Sequence, residues 1–223
     1  MAKERPPEVI SMPTRIEPIV PRLVTELPVD IQNWISEVKW HGVRAMVYGE
    51  ERSSIRMLTT SQLEVSGNFP QLVKGFNHLV TTHTFLLDGE IISGAGRSPG
   101  DLYHVISRVG STQQKAVRDS ADNPCQFVAY DILFLDGQDL RSLPLIERKK
   151  KLAQLVTKPA VRYGVLVNYY EKQDHQALLK SARQNNFEAI VLKRRDSTYI
   201  HLARNKPRWL KLRVKRAQTK SST

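Results

Sequence analysis

The chain has 223 residues, of which 40% are hydrophobic and 25% charged. That composition excludes a disordered chain and fits one large globular domain or two small ones. The formal net charge of +12 points to a polyanionic partner, nucleic acid first and an anionic membrane surface second.

No apolar run approaches the roughly eighteen residues that cross a bilayer, and MAKERPPEVI at the start lacks the apolar core of a signal peptide. The single cysteine, Cys125, rules out an internal disulfide, fits a reducing cytosol and reads as a small buried residue before an apolar strand. Residues 1–10 read as a loose polar leader. Pro13, Pro18, Pro21 and Pro28 keep the next stretch extended. Trp34 to Lys39 alternates, with Ile35, Glu37 and Lys39 on one face and Trp34, Ser36 and Val38 on the other. A turn with Gly42 follows. Val43–Tyr48 and Ile55–Thr59 read as the next strands, and Phe69–Phe76 as a short helix.

Thr84–Ile92, TFLLDGEII, reads as a strand pair or bent strand; its Asp88–Gly89 alone would suggest a hairpin turn. Leu102, Val105, Ile106 and Val109 fall at helical spacing, with Asp101 as the expected N-cap. Gln126–Leu135 is a strongly apolar strand ended by Asp136–Gly137. Pro144–Val156 reads as a helix with Leu145, Leu152, Leu155 and Val156 on one side and the basic run Arg148 to Lys151 on the other. Val165–Tyr170 reads as a strand, Asp174 as the cap of a helix to about Asn186, and Ala189–Lys193 and Trp209–Val214 as the last strands. Regular βαβ alternation is missing, so the expected class is α+β with antiparallel sheets. After Asp196 there is no acidic residue, while Arg204, Lys206, Arg208, Lys211, Arg213, Lys215, Arg216 and Lys220 make a basic end suited to phosphate.

Four groups of charged residues sit inside apolar strands: Lys39 with Gly42 and Arg44; Asp88-Gly89-Glu90; Tyr130–Asp131; and Glu188 and Lys193 in EAIVLK with Lys211 and Arg213 in WLKLR. Buried charge costs several kcal/mol unless it is paired, so such a set suggests one shared polar pocket. A free lysine amine titrates near 10.4, leaving only about one in a thousand neutral at pH 7.4. A lysine nucleophile therefore needs nearby cations and partial burial, which Arg44, Lys193, Lys211 and Arg213 could supply.

These residues, in this order, resemble the adenylation domain of ATP-dependent DNA ligases, within the covalent nucleotidyltransferase superfamily that also holds RNA ligases and capping enzymes. The likeness is strongest to the ligase module of bacterial end-joining repair ligases. KWHGVR resembles Lys-x-Asp-Gly-x-Arg, Asp88-Gly89-Glu90 is the family triplet, and EAIVLK resembles Glu-Gly-Ile-Val-x-Lys. Lys211-Leu-Arg213 resembles the closing Lys-x-Lys. The likeness runs from about Ile16 to Arg213. It implies an ATP-grasp-like α+β domain over residues 11–214 with its nucleotide pocket between antiparallel sheets, and a basic tail over 215–223.

The resemblance also implies roles. Lys39 would attack the α-phosphate of ATP and carry AMP, and Glu37 would contact the adenine amino group. Arg44 would sit near ribose and phosphate, and Tyr130 would stack on adenine. Glu90 would bind ribose or metal, Glu188 would hold Mg²⁺ or Mn²⁺, and Lys193, Lys211 and Arg213 would grip the phosphates. AMP would pass to a 5′-phosphate at a nick in double-stranded DNA, in a monomeric, cytoplasmic and nucleoid-associated enzyme of bacterial or phage type.

Departures from the family pattern shape the expectation. His41 stands at the aspartate, Thr60 at an arginine and Ala189 at a glycine. The segment after Arg213 is too short for the OB-fold that family ligases carry, so weak sealing is expected unless an OB-fold or repair partner acts in trans. Two other readings stay open at this level: a ligase-like DNA-binding protein without turnover, and an RNA-ligase or capping-type enzyme. Histidines 41, 78, 83, 104, 175 and 201 show no zinc spacing, and no structural metal is expected.

Overall fold

A computed structural model describes residues 11–50, 54–156, 158–168, 174–199 and 207–214. The expected leader over 1–10, the tail over 215–223 and the end of the strand expected at Val165–Tyr170 lie outside the described residues. The strands are β1 (Arg22–Val24), β2 (Trp34–Val38), β3 (Val43–Glu50), β4 (Ser54–Thr59), β5 (Phe85–Ser93), β6 (Cys125–Leu135), β7 (Gln138–Asp139), β8 (Val165–Val167), β9 (Ala189–Arg194) and β10 (Trp209–Arg213). The helices are α1 (Pro70–Val80), α2 (Pro99–Val109), α3 (Gln113–Asp122), α4 (Leu145–Leu155), α5 (Lys158–Arg162) and α6 (His175–Gln184).

The strands make two sheets. One has the order β1-β10-β9-β2, and the other β4-β3-β5-β6-β7 with β8 also on β6. Pairing is antiparallel except for β1 on β10 and β8 on β6, so the expected α+β class holds with two parallel exceptions. Apolar residues on the facing sides meet in a shared core that includes Met46, Tyr48, Leu86, Tyr130, Leu133, Tyr199 and Trp209. The outer side of the larger sheet packs Val47, Leu87 and Phe127 against Leu72 and Phe76 of α1 and Leu152 of α4. The outer side of the smaller sheet packs Trp34, Ile190 and Leu192 against Ala182 of α6. Each strand thus alternates between two apolar layers, the period-2 rule applied on both faces. Among the described residues no helix is long and apolar enough to cross a membrane.

Several local expectations are corrected. β5 runs straight through Asp88–Gly89, and no hairpin turn forms there. A Cβ on Gly89 would lie 2.6 Å from the Val128 carbonyl oxygen, so this glycine serves close strand approach, not a turn. The register of β6 on β5 skips Leu133 and then Tyr130. These two bulges turn both side chains into the inter-sheet core.

Ser98, not Asp101, is the N-cap of α2. Asp101 is the third helical residue of a capping box, its backbone N–H donating to Ser98 Oγ at 3.1 Å while its carboxylate accepts from the Ser98 N–H at 3.0 Å. α1 continues to Val80, and α3 and α5 appear where no helix was expected. The basic run of α4 is not one exposed face: Arg148 and Lys149 are fully buried, and only their neighbour Lys150 reaches solvent with a partner in Glu147. Asp174 caps α6 as expected, accepting from the N–H groups of Gln176 and Ala177.

Candidate active site

Three strands of the smaller sheet carry the site in aligned rows. Ile35, Lys193 and Trp209 stand side by side; Glu37, Val191 and Lys211 form the next row; Ala189 and Arg213 form the third. Lys39 continues β2 into that third row, its N–H donating to the Ala189 carbonyl at 2.9 Å. All share one face, because directly opposed residues in antiparallel strands point the same way. Trp209 and Val191 place that face against the larger sheet.

At the open end, Lys39 Nζ lies 3.1 Å from Glu188 Oε1 and His41 Nε2 lies 3.5 Å from Oε2. Partial burial pushes the Glu188 carboxyl up, but the hydrogen bond and charge of Lys39, with His41 and Lys211 behind, outweigh it and hold it below the ordinary carboxylate value. The turn is pinned at two points. The His41 N–H donates to the Gly96 carbonyl at 2.8 Å, and Trp40 packs edge-on against Phe187, with centroids 5.5 Å apart. Thr60 is exposed in the turn after β4, and Ala189 is fully buried.

From the larger sheet, Arg44 makes a two-pronged pair with Asp88 at 2.9 and 2.7 Å and donates to the Ile19 carbonyl at 2.7 Å. Tyr199 closes this cluster, its hydroxyl donating to Asp88 at 2.8 Å. Burial opposes the Arg44 charge, but Asp88 outweighs it, so Arg44 remains charged. Glu90 stands opposite Arg44 in the strand register. Burial pushes its carboxyl up to about 7 despite the attraction of Arg44, Lys39 and Lys193.

Deep between the sheets, Glu37 is held from both sides. Lys193 donates to Oε2 at 2.6 Å, and Lys149 donates to Oε1 and to the Asn168 carbonyl. Tyr130 and Trp209 meet edge to face at 5.9 Å, and Lys193 Nζ lies 4.2 Å from each ring centroid. A second buried pair, Arg148 with Asp131 at 2.8 Å twice, ties α4 to β6.

The structure therefore brings Lys39, Glu188, Glu37, Lys193, Arg44 and Glu90 to one inter-sheet region, with Tyr130 at its apolar wall. Lys211 is partly exposed in the middle row, and Arg213 is exposed at the rim. Lys149 and Tyr199 were missed as members of the site, and Asp88, expected in the shared polar pocket, is there as the partner of Arg44. Lys149 had a sequence signal: Leu145, Arg148, Lys149 and Leu152 fall at helical i, i+3, i+4, i+7 spacing, which is the buried stripe of α4.

Residues 21–213 match the family model described as ATP dependent DNA ligase domain. The chain belongs to that family. This ligase-family domain is 27% identical over 205 residues to the bifunctional non-homologous end joining protein LigD of Bacillus subtilis, covering 86% of the chain and 33% of LigD. It is 29% identical over 185 residues to the prophage-derived DNA ligase-like protein LigB of the same organism, covering 83% and 63%. The domain thus spans less than two thirds of either relative. Its fold is similar to that of the ligase domain of LigD from M. tuberculosis, with a TM-score of 0.61 and 21% identity over 87% of this chain and 58% of that one. A mycobacterial DNA ligase D complexed with ATP and MES superposes with a TM-score of 0.59 at 22% identity, covering 86% and 60%.

Proposed function

We propose that this chain is the adenylating domain of an ATP-dependent DNA ligase acting on nicked double-stranded DNA. The observation that carries this reading is the Lys39 amine at the open end of the inter-sheet cleft, 3.1 Å from Glu188 and on the same sheet face as Glu37 and Lys211. Lys39 Nζ loses a proton and attacks the α-phosphorus of ATP; the N–P bond forms as the bond to pyrophosphate breaks. AMP then passes to a 5′-phosphate at the nick, and the 3′-hydroxyl displaces it as the phosphodiester forms.

Tyr130 supplies the ring on which the base stacks, and Glu37 accepts from the exocyclic amino group. Lys211 and Arg213 stand where charge develops on the phosphoryl oxygens. Arg44, locked by Asp88, gives a fixed cation on the ribose side.

Among the described residues no three of His, Cys, Asp and Glu stand close enough to hold a metal ion by themselves. Glu188 and Glu90, both within the electrostatic reach of Lys39, are hard oxygen donors that fit Mg²⁺ or Mn²⁺ when ATP phosphates and water complete the shell. A bound divalent ion would supply charge neutralisation on the phosphates. The net charge of +12 suits a DNA partner, with binding that weakens as salt rises. The same reading makes the protein a cytoplasmic, nucleoid-associated monomer that meets a repair partner at the sealing step.

The test is incubation with α-labelled ATP or GTP and Mg²⁺, followed by a denaturing gel. Label from ATP that stays on the protein and is lost in Lys39→Ala is expected. No label at any pH, with no sealing of a pre-adenylated nick, would overturn the reading; label from GTP would redirect it to capping chemistry.

A further inference from the structure

One aromatic ring stands behind each partner of the Lys39–Glu188 pair. Trp40 follows Lys39, Phe187 precedes Glu188, and the two rings meet edge to face at 5.5 Å. Phe187 packs against the outer apolar layer of the smaller sheet, and its N–H donates to the Ala182 carbonyl at 2.9 Å. The larger sheet grips the same joint through the loop after β5. The Gly96 carbonyl accepts from the His41 N–H, and Arg97 donates to the Asn185 side chain at 3.0 Å, at the end of α6. Gly96 has φ +60°, and a Cβ on it would lie 3.0 Å from Trp40 Cε3, so the missing side chain lets the indole lie against this loop.

We propose that Trp40 is a positioning residue for adenylation: its ring is the wedge that sets where the Lys39 amine stands relative to Glu188 and to the phosphorus it attacks. This rests on the assignment of Lys39 as the nucleophile. The ion pair alone does not hold the amine. Both side chains are partly exposed, at 33% and 44%, where such a pair is worth little, and a divalent ion on Glu188 displaces it. The freed lysine then has a long, flexible stem to be ordered. The Trp40–Phe187 contact carries no charge. It survives the arrival of metal and ATP, and it keeps the two backbones at their spacing while the charged side chains change partners.

The indole sits apart from the nucleotide groups. It lines a recess with Val128, Val156, Leu166 and Asn168, and among the described residues none assigned to base, ribose or phosphate shares that recess. Its Nε1 is buried and has no partner among the described residues. An unpaired buried donor is a cost to folding, so the ring is kept there for its shape and not for a hydrogen bond. A phenylalanine can make the same edge contact without that cost. The Lys39 N–H bond to the Ala189 carbonyl fixes where β2 leaves β9, and Trp40 and His41 together hold the turn beyond that rung.

The test is rapid-quench formation of lysyl-AMP by the full chain at saturating ATP and Mg²⁺, with ATP affinity measured by calorimetry in a Lys39→Ala background. Trp40→Ala is expected to lower the rate of the chemical step by about tenfold to a hundredfold, the cost of a misplaced reacting group, while ATP affinity stays at the parent value. Trp40→Phe should restore most of the rate. Phe187→Leu removes the contact from the other side and should lower the rate likewise. The two changes combined should lose no more than the worse of them, because both remove one contact. If Trp40→Ala does not fold, Phe187→Leu is read in its place. Loss of ATP affinity in step with the rate would make Trp40 a nucleotide contact or a merely structural residue, and that result overturns the inference. So does a wild-type rate in Trp40→Ala, or no rescue by phenylalanine. No label in the wild-type chain removes the adenylation reading and this inference with it; label in the wild type with an unaffected variant removes the inference alone.

Discussion

Lys39 and Glu188 form a 3.1 Å ion pair across the ends of β2 and β9, and His41 takes the other carboxylate oxygen of Glu188. The lysine meant to attack phosphorus is therefore tied to the carboxylate proposed for the metal. A divalent ion reaching Glu188 must compete with the Lys39 ammonium and the His41 imidazole.

His41→Asp changes that competition. It replaces an imidazole with a second carboxylate beside Glu188, which favours a divalent cation. Near-surface charges about 4 Å apart interact by roughly 1 kcal/mol after solvent screening. The Mg²⁺ concentration for half-maximal lysyl-AMP formation is expected to fall about fivefold on that scale. An unchanged or higher requirement in a Mg²⁺ titration of initial rates contradicts the role given to His41.

Arg148→Met tests the hidden cations of α4. Asp131 has no solvent exposure, and this change leaves its charge buried without its ion-pair partner, which costs about 3–5 kcal/mol. Lys150→Met, two residues on, removes only an exposed pair with Glu147, and a change within about 0.5 kcal/mol is expected. Urea denaturation of the two variants measures both values. Equal losses would mean that burial at Arg148 does not govern the outcome.

The contrast between Arg148 and Lys150 also shows what a sequence conceals. Alternation from Trp34 to Lys39 was enough to put Glu37 and Lys39 on one face, because a strand has a period of 2 whatever it pairs with. The Asp174 cap was equally local. Arg148 and Lys149 sit on an apolar stripe, but their charge reads as solvent-facing unless Asp131 and Glu37 are known to wait across the gap. Asp88–Gly89 carries a local turn signal that the sheet overrides, since Gly89 is needed where Phe127 and Val128 crowd β5. In α3 only Ala116 is buried among ten residues, too little apolar pattern to announce a helix. Tyr199 joins Asp88 from 111 residues away, a pairing no window of sequence contains.

Glu90 predicts a pH dependence. Its carboxyl moves from 4.5 to about 7 on folding because burial disfavours the charge. The folded state therefore holds more protons than the unfolded one between those values, and stability from this group falls as pH rises through that window. Glu90→Gln removes the effect. The variant should gain about 2 kcal/mol on the wild type between pH 4.5 and 7.5, after allowance for the solvent that reaches Glu90. Chemical denaturation at several pH values measures the difference, and parallel stability curves would refute the shift.

Gly42→Ala tests whether the turn after Lys39 demands glycine by contact. A Cβ there would overlap the Ile91 carbonyl oxygen and lie 2.8 Å from Glu90 Cγ. The backbone atom cannot rotate aside, so the start of β3 must move off β5, and the turn carrying His41 moves with it. Overpacking of this kind costs about 1–3 kcal/mol in stability. The effect on chemistry should be larger, because a displacement near 1 Å at a reacting group can lower a rate by about a hundredfold. Lysyl-AMP formation is expected to fall by at least about tenfold on the same grounds, while the protein still folds. Gly110→Ala is the control: its Cβ would meet only the Ile106 carbonyl oxygen at 3.7 Å and the Ser107 carbonyl oxygen at 3.9 Å, which is ordinary contact. Rapid-quench measurement of adenylation in both variants decides the matter. A Gly42→Ala protein that labels at the wild-type rate would show that the turn accommodates a side chain without moving Lys39 or Glu90.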